Sequence, residues 1–407
     1  MLKKLSKSVR EYKWAAFITP VFVTLEVIME VVIPLLMANL IDDGVYMGEM
    51  NAALKIGVEL IIAAVLSLIF GCLSGVTASK ASAGFAKNLR KDLYYKVQDF
   101  SFANIDKFST ASLVTRLTTD VSNVQQAFQM LTRITVRAPL MLVISVIMAI
   151  NINAELSMIL LIIVPIIAIT LFFILRYVHP LMEKVFRKYD DLNEVVEENV
   201  SGIRVVKSFV IEEKEKKKFG KVSSDIYNTF SKAEKIMAFT MPTMQFAIYL
   251  CIILISWFGA NIIVNTGMTD LTTGQLMTFI TYSIQILSSL MMISMVIMML
   301  TIARASAERI YEVLIEEPNI KDKENPVTEV KNGDIEFNNV SFSYVDDKEK
   351  ECLKDINLKI ESGQTIGIIG GTGSGKSSLV NLIPRLYDVT EGSVKVGDVD
   401  VRDYDLK

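Results

Sequence analysis

The sequence predicts two architectures in series: an all-α membrane domain of six helices with long extensions beyond the bilayer, then an incomplete α/β P-loop domain. Three observations carry this. Six apolar segments are each long enough to cross a bilayer, which takes roughly 20 residues. Two of the connections between them, 80–137 and 176–235, keep helical periodicity and are rich in Lys and Arg. Further on, the apolar run Thr365–Ile369 leads into a glycine-rich loop and a helix start.

The apolar segments lie near 14–41, 55–79, 135–152, 156–178, 237–265 and 274–302. With 51% hydrophobic residues and a mean hydropathy of +0.41, the composition agrees with membrane spans joined to a polar part. Lys3, Lys4, Lys7, Arg10 and Lys13 precede the first segment, which continues to about Ile41 and is therefore too long for a signal peptide. Pro20 and Pro34 inside it are expected as kinks. The third and fourth segments are joined by a polar tip around Asn151–Glu155 and should form a tight hairpin.

Orientation follows from the connections. The first carries Asp42, Asp43 and Glu49 and no Lys or Arg before Lys55, and the third and fifth also lack basic residues. They alternate with the two basic connections, which places both termini in the cytoplasm. The basic connections are expected to be membrane helices that continue outward, turn near Asn104–Thr110 and Val206–Glu213, and return. Helices that long and polar need something to pack on.

The charged stretch 316–333, with Pro318, Asn325-Pro326 and Asn332-Gly333, is a linker, so the chain divides into a transmembrane part over 1–315 and a soluble part over 334–407. Alternation predicts strands over Asp334–Tyr344 and Leu353–Ile360, and a hairpin over Ser393–Val401 turning at Gly397-Asp398. Between them lies the candidate site. Thr365–Ile369 should be a buried strand, and Gly370, Gly371, Thr372, Gly373, Ser374, Gly375, Lys376, Ser377 and Ser378 the loop. Glycines there allow successive N–H groups to point at phosphate oxygens. A helix opening at Lys376 adds the positive end of its dipole. Lys376 would reach the β- and γ-phosphates, and the Ser377 hydroxyl would ligate Mg²⁺.

Other candidates are weaker. A net charge of −3 gives no reason to expect a nucleic-acid partner. Cys72, Cys251 and Cys352 match no metal or redox spacing and are expected to be buried small hydrophobes. His179, the sole histidine, has no partner with which to form a metal site. Glu26 and Glu30 share one face of the first span, where each acid costs about 2.5–3.5 kcal/mol at the bilayer centre. They either bind a cationic substrate or serve hydrogen bonding between helices. Met291, Met292, Met295, Met298 and Met299 of the last span are an adaptable surface facing either a substrate or lipid.

Taken together, the chain resembles a half-transporter of the ABC exporters, closest to subunits of bacterial heterodimeric multidrug exporters. In the membrane part the resemblance rests on Phe108 with Leu117–Val121, on Glu198–Phe209, on Leu271–Leu276 and on Ala305–Ile310. In the soluble part it rests on Val340–Tyr344, the P-loop and Asp400–Tyr404. It implies an ATP-driven subunit that exports amphipathic or drug-like compounds across the bacterial cytoplasmic membrane, with ATP and Mg²⁺ as cofactors. It implies membrane lipids, a small-molecule substrate and a second subunit as partners, a heterodimer being favoured. Tyr344 would stack on the adenine ring, and the turns near 104–110 and 206–213 would be coupling helices, the second usually docking on the partner's domain.

The sequence departs from the family pattern beyond the P-loop. It holds no glutamine-bearing loop, Leu-Ser-Gly-Gly-Gln signature, acidic Walker B strand or switch histidine, so it supplies no catalytic residue for hydrolysis. It is expected to be a piece of a protein of roughly 570–600 residues, if an ordinary-sized domain completes it. The alternative is a truncated or degenerate subunit that binds nucleotide and regulates a catalytic partner. A soluble P-loop enzyme merely anchored in the membrane is disfavoured by the six spans.

Overall fold

The computed structural model describes residues 1–345 and 350–406. Lys407, where the expected soluble part ends, lies outside them. The chain forms two compact units, one of Met1–Tyr12, Ser82–Gln126 and Thr301–Lys407, the other of Lys13–Ala81 and Ala127–Leu300.

The helices follow the apolar periodicity. After a short α1 (Leu2–Leu5) come α2 (Lys13–Asn39), α3 (Met50–Gln98), α4 (Phe102–Phe108), α5 (Thr110–Thr115), α6 (Val121–Thr132) and α7 (Ile134–Ile152). Then follow α8 (Ala154–Ser201), α9 (Ile203–Ser208), α10 (Glu212–Ala238), α11 (Thr240–Thr266) and α12 (Thr273–Ile315). Among the described residues, six helical stretches are long and apolar enough to cross a membrane. α8 alone has 48 residues, about 70 Å at 1.5 Å per residue. The tip between α7 and α8 turns at Asn153, whose side chain caps α8 by accepting from the Leu156 N–H at 2.9 Å.

In the second unit, buried residues recur every three or four positions. Leu156, Leu160, Ile163, Ile167 and Leu171 of α8 meet Met244, Ala247, Cys251 and Ile255 of α11 and Phe279, Ile286 and Leu287 of α12. Cys251 is buried as expected. Cys72 is exposed, because α3 turns that side away from the other helices of the unit. The two long polar helices solve their packing problem on each other: α8 lies against α10, joined by Lys188 to Asp225 at 3.1 Å and by Asn199 to Glu215 at 2.9 Å.

Pro34 shapes the contact between α2 and α12. Proline has no N–H for the carbonyl four residues back and crowds the preceding turn. The α12 side chains take up the carbonyls around it. Tyr282 donates to the Val31 oxygen at 2.7 Å, and Thr278 to that of Pro34 at 2.6 Å. Gln285 reaches the Glu30 oxygen at 3.5 Å. At the start of α12, the Asp42 carboxylate accepts from the Gly274 N–H at 2.9 Å and from the Thr272 hydroxyl. Gly274 is required by this approach, since a Cβ there would stand 2.4 Å from the Ala38 oxygen. Gly274→Ala is expected to lower stability by about 1–3 kcal/mol through overpacking. Thermal unfolding of the purified protein reads this, and an unchanged midpoint would show that the two helices part freely.

In the first unit, the end of α12 is held by polar side chains of α4 to α6. Arg309 donates through Nε to Asp120 at 2.8 Å, and Asp120 is fully buried. Asn104, 1% exposed, donates to Glu316 and to the Glu317 carbonyl, both at 3.1 Å. The same unit holds β1 (Ile335–Phe342), β2 (Leu353–Ile360), α13 (Lys376–Leu382), β3 (Glu391–Val396) and β4 (Val399–Asp400). The four strands form one antiparallel sheet in the order β2-β1-β3-β4. Phe337, facing both Leu358 and Val394, centres its core with Val340, Phe342, Leu353, Leu382 and Val401. The β3–β4 turn falls on Gly397 and Asp398, at φ 57° and 68°, the two positive values that a two-residue hairpin of this hand requires.

Besides Cys72, the strand expected before the loop fails to form. Thr365–Ile369 is not a buried strand: it has no strand partner among the described residues, and Ile369 is 98% exposed. A strand buried on both faces needs neighbours on both sides. The sheet that forms here pairs only the segments around it, so the apolar run stays uncovered.

Candidate functional site

The loop Gly370–Gly375 leads into α13 at Lys376, as the spacing predicts. Gly373 and Gly375 both have φ of 84°, a left-handed backbone that a side chain would strain. Gly375 is doubly fixed, because a Cβ would stand 2.7 Å from Leu353 Cδ2 and 3.0 Å from the Cys352 oxygen. The start of β2 thus presses against the loop and seats it on the sheet. The first turn of α13 has N–H groups with no carbonyl inside the helix to bond.

Lys376 folds back into the loop. Its Nζ donates to the oxygens of Gly370 at 2.8 Å and Gly371 at 2.7 Å, and to Ser374 Oγ at 3.3 Å. One positive charge is therefore held over a ring of backbone at the positive end of a helix. This is an arrangement for a polyphosphate: Gly370, Gly371, Thr372 and Gly373 are exposed to solvent, and the ammonium can exchange its carbonyl partners for anionic oxygens. Ser377 sits on the exposed side of the first turn.

Ser378, 8% exposed, connects the loop to Tyr344. The Tyr344 hydroxyl donates to Ser378 Oγ at 2.9 Å, so the structure brings the predicted aromatic and the predicted loop together. Tyr344 itself is 48% exposed. Its ring centre lies 4.8 Å from that of Phe342 and 5.0 Å from that of Tyr387, nearly perpendicular to the latter at 88°. Tyr387 was not legible as a site residue, since it belongs to no motif. Its hydroxyl donates to Asp106 of α4 at 2.7 Å, and its ring lies 6.1 Å from that of Phe102. Burial, with the Asp106 hydrogen bond behind it, pushes the Tyr387 phenol up to about 12.

The predicted acids of the first span also have partners. Arg137, in the first turn of α7, bonds Glu26 through Nη1 and Glu30 through Nη2 at 2.7 and 2.9 Å. Ser74 of α3 donates to Glu26 at 3.0 Å, and Arg133 Nη2 lies 4.0 Å from it. Glu26 is 5% exposed. Two arginines at the start of α7 would oppose its dipole, and the two glutamates offset both. Of the methionines in the last span, Met292, Met295 and Met298 are exposed and Met291 and Met299 half-buried, and His179 is exposed too.

Comparison with known proteins decides the family. The ABC transporter transmembrane region matches residues 16–291, more than half of the chain. The chain belongs to the ABC transporter family. A second match, described as ABC transporter, covers residues 353–407, the segment with the P-loop. An uncharacterized ABC transporter ATP-binding protein of Bacillus subtilis is 33% identical over 402 residues, covering 99% of this chain and 69% of the relative. One of Mycobacterium tuberculosis is 31% identical over 408 residues, with the same shares. A putative ABC transporter ATP-binding protein of Streptococcus pneumoniae is 26% identical over 410 residues, covering 99% of this chain and 68% of the relative. This ABC transporter chain is thus a multi-pass membrane protein in which a six-helix membrane domain precedes part of a nucleotide-binding domain.

Proposed function

We propose that the chain is a subunit of an ATP-driven exporter that moves amphipathic or drug-like compounds out of the cytoplasm across a bacterial cytoplasmic membrane. The observation that carries this is the Lys376 ammonium seated in the Gly370–Ser374 loop, at a helix start, in a chain with six membrane-competent helices. The loop glycines, Lys376 and the first N–H groups of α13 would hold the phosphates of ATP, Ser377 would contribute a hydroxyl to Mg²⁺, and Tyr344 would stack on the base. ATP would supply the free energy of phosphoryl transfer. The chain's own part is to bind and orient, since no catalytic carboxylate belongs to its motifs.

The division into a membrane part over 1–315, a linker over 316–333 and a nucleotide part over 334–407 goes with this reading. So do coupling helices near 104–110 and 206–213. Phe209 and Val210, 73% and 80% exposed, support the second as a docking point for another subunit, and a heterodimer is the favoured assembly. The run of basic connections supports cytoplasmic termini. Glu26 and Glu30 are already matched by Arg137, so a cationic substrate is not required by them.

Dye retention in cells tests the reading. Cells carrying the full-length protein and its partner should retain less of a fluorescent amphipathic dye than cells without them. Lys376→Ala should bring retention back to the level of cells lacking the transporter, and equal retention in all three strains would overturn the proposal.

A further inference from the structure

The ring of Tyr344 stands just past the end of β1, where the strand no longer fixes it. Its hydroxyl is tied to Ser378, which leaves rotation about that tether to be set by the neighbouring rings. Phe342 is a core residue, 2% exposed, and cannot move without the sheet. Tyr387 is different. It lies in the turn after α13, which is pinned by Arg385 bonding Asp388 at 2.9 and 3.3 Å and the Arg402 carbonyl at 3.3 Å. Perpendicular ring pairs at such spacing are mutually orienting, since the positive edge of one meets the negative face of the other. The far end of Tyr387 is then fixed from outside the sheet, by the 2.7 Å bond to Asp106.

α4, which carries Asp106, is itself held. Ser101 and Asn104 cap it reciprocally, and Asn104 reaches back to Glu316 and the Glu317 carbonyl. Phe108 stacks on Phe100 with ring centres 5.8 Å apart. A continuous set of contacts therefore runs from α4 through Asp106 and Tyr387 to Tyr344, all within one compact unit.

We propose that Tyr387 is a positioning residue for the base-stacking face of the nucleotide site, and that Asp106 holds it there, so that α4 sets the site's affinity for the base. The proposal rests on the reading of Tyr344 as the base-stacking residue. It makes the base and the phosphates separable. The phosphates are met by the loop and Lys376, whereas the base is met by a ring whose orientation α4 controls. Because binding linkage is reciprocal, an ordered base strengthens the Tyr387–Asp106 contact by the factor that the contact strengthens base binding.

Equilibrium binding to the full-length transporter, with its partner subunit in lipid nanodiscs, tests this with two ligands: Mg-ATP and inorganic tripolyphosphate, which has no base. Tyr387→Phe and Asp106→Asn, both close to isosteric, should each weaken ATP binding roughly 3- to 10-fold, less than the full worth of one charge-assisted hydrogen bond because this one acts on the base only through the Tyr344 ring. The double variant should be no weaker than either single one, and tripolyphosphate binding should not change. Tyr344→Ala should weaken ATP alone and by at least as much. If Tyr344→Ala does so while Tyr387→Phe and Asp106→Asn leave ATP binding intact, the positioning role is overturned and the site itself stands. If Tyr344→Ala has no effect, the base-stacking reading fails and takes the proposal with it. Equal losses for ATP and tripolyphosphate in Tyr387→Phe would show a merely structural role and also overturn it.

Discussion

Arg137→Ala is expected to destabilise the folded protein by about 3–5 kcal/mol, the usual cost of removing one partner from a buried ion pair. Arg137 is the shared counter-ion of Glu26 and Glu30, and without it two carboxylates one helical turn apart face each other with Arg133, 4.0 Å from Glu26, as the remaining cation paired with them among the described residues. The variant should unfold at a distinctly lower temperature in detergent and accumulate less in membranes. A compensated variant, in which Glu26→Gln and Glu30→Gln accompany Arg137→Met, should recover most of the loss, because removing every charge also removes the desolvation cost. An Arg137→Ala protein as stable as the parent would mean that the cluster is hydrated and that the acids are free for a cationic substrate after all.

The second large effect belongs to Lys376. Its ammonium makes three hydrogen bonds inside the loop. These are the positions from which it would meet anionic oxygens. A charge-assisted contact is worth about 1.5–3 kcal/mol, so Lys376→Ala should weaken Mg-ATP binding roughly 10- to 100-fold. Hydrolysis by the complete transporter should fall further, because charge develops on the phosphoryl group in the transition state. Loop folding should survive, since Gly373 and Gly375 take their shape from backbone and from contact with β2 rather than from the lysine. Calorimetric titration with Mg-ATP separates the two, and undiminished affinity in a folded Lys376→Ala protein would remove the lysine from the site.

What the sequence made legible is what short-range pattern controls. Apolar length gave the six spans, the Asn151–Glu155 tip gave the α7–α8 turn, and Gly397-Asp398 gave the β3–β4 hairpin. The glycine spacing gave the loop and the start of α13 at Lys376. Thr365–Ile369 shows the limit from one side: an apolar run predicts burial only if strands exist to flank it, and local pattern cannot supply them. Arg137 and Tyr387 show it from the other. Arg137 reads as one more cation near a basic connection, and its role depends on α7 standing beside α2. Tyr387 reads as one aromatic in a turn, and Asp106 lies 281 positions away in the chain. Such pairings are made by tertiary packing, so no periodicity or motif announces them.

The central claim is that nucleotide bound at the Gly370–Ser378 loop drives movement of an amphipathic compound through the six-helix domain. Uptake of such a compound by sealed vesicles, into which the full-length transporter has been reconstituted with its partner, tests it most directly. The account predicts accumulation against a gradient when Mg-ATP is present on the side of the nucleotide domains, and none with Lys376→Ala or with nucleotide on the opposite side alone. Equal uptake with and without nucleotide, stopping when concentrations match, would contradict it.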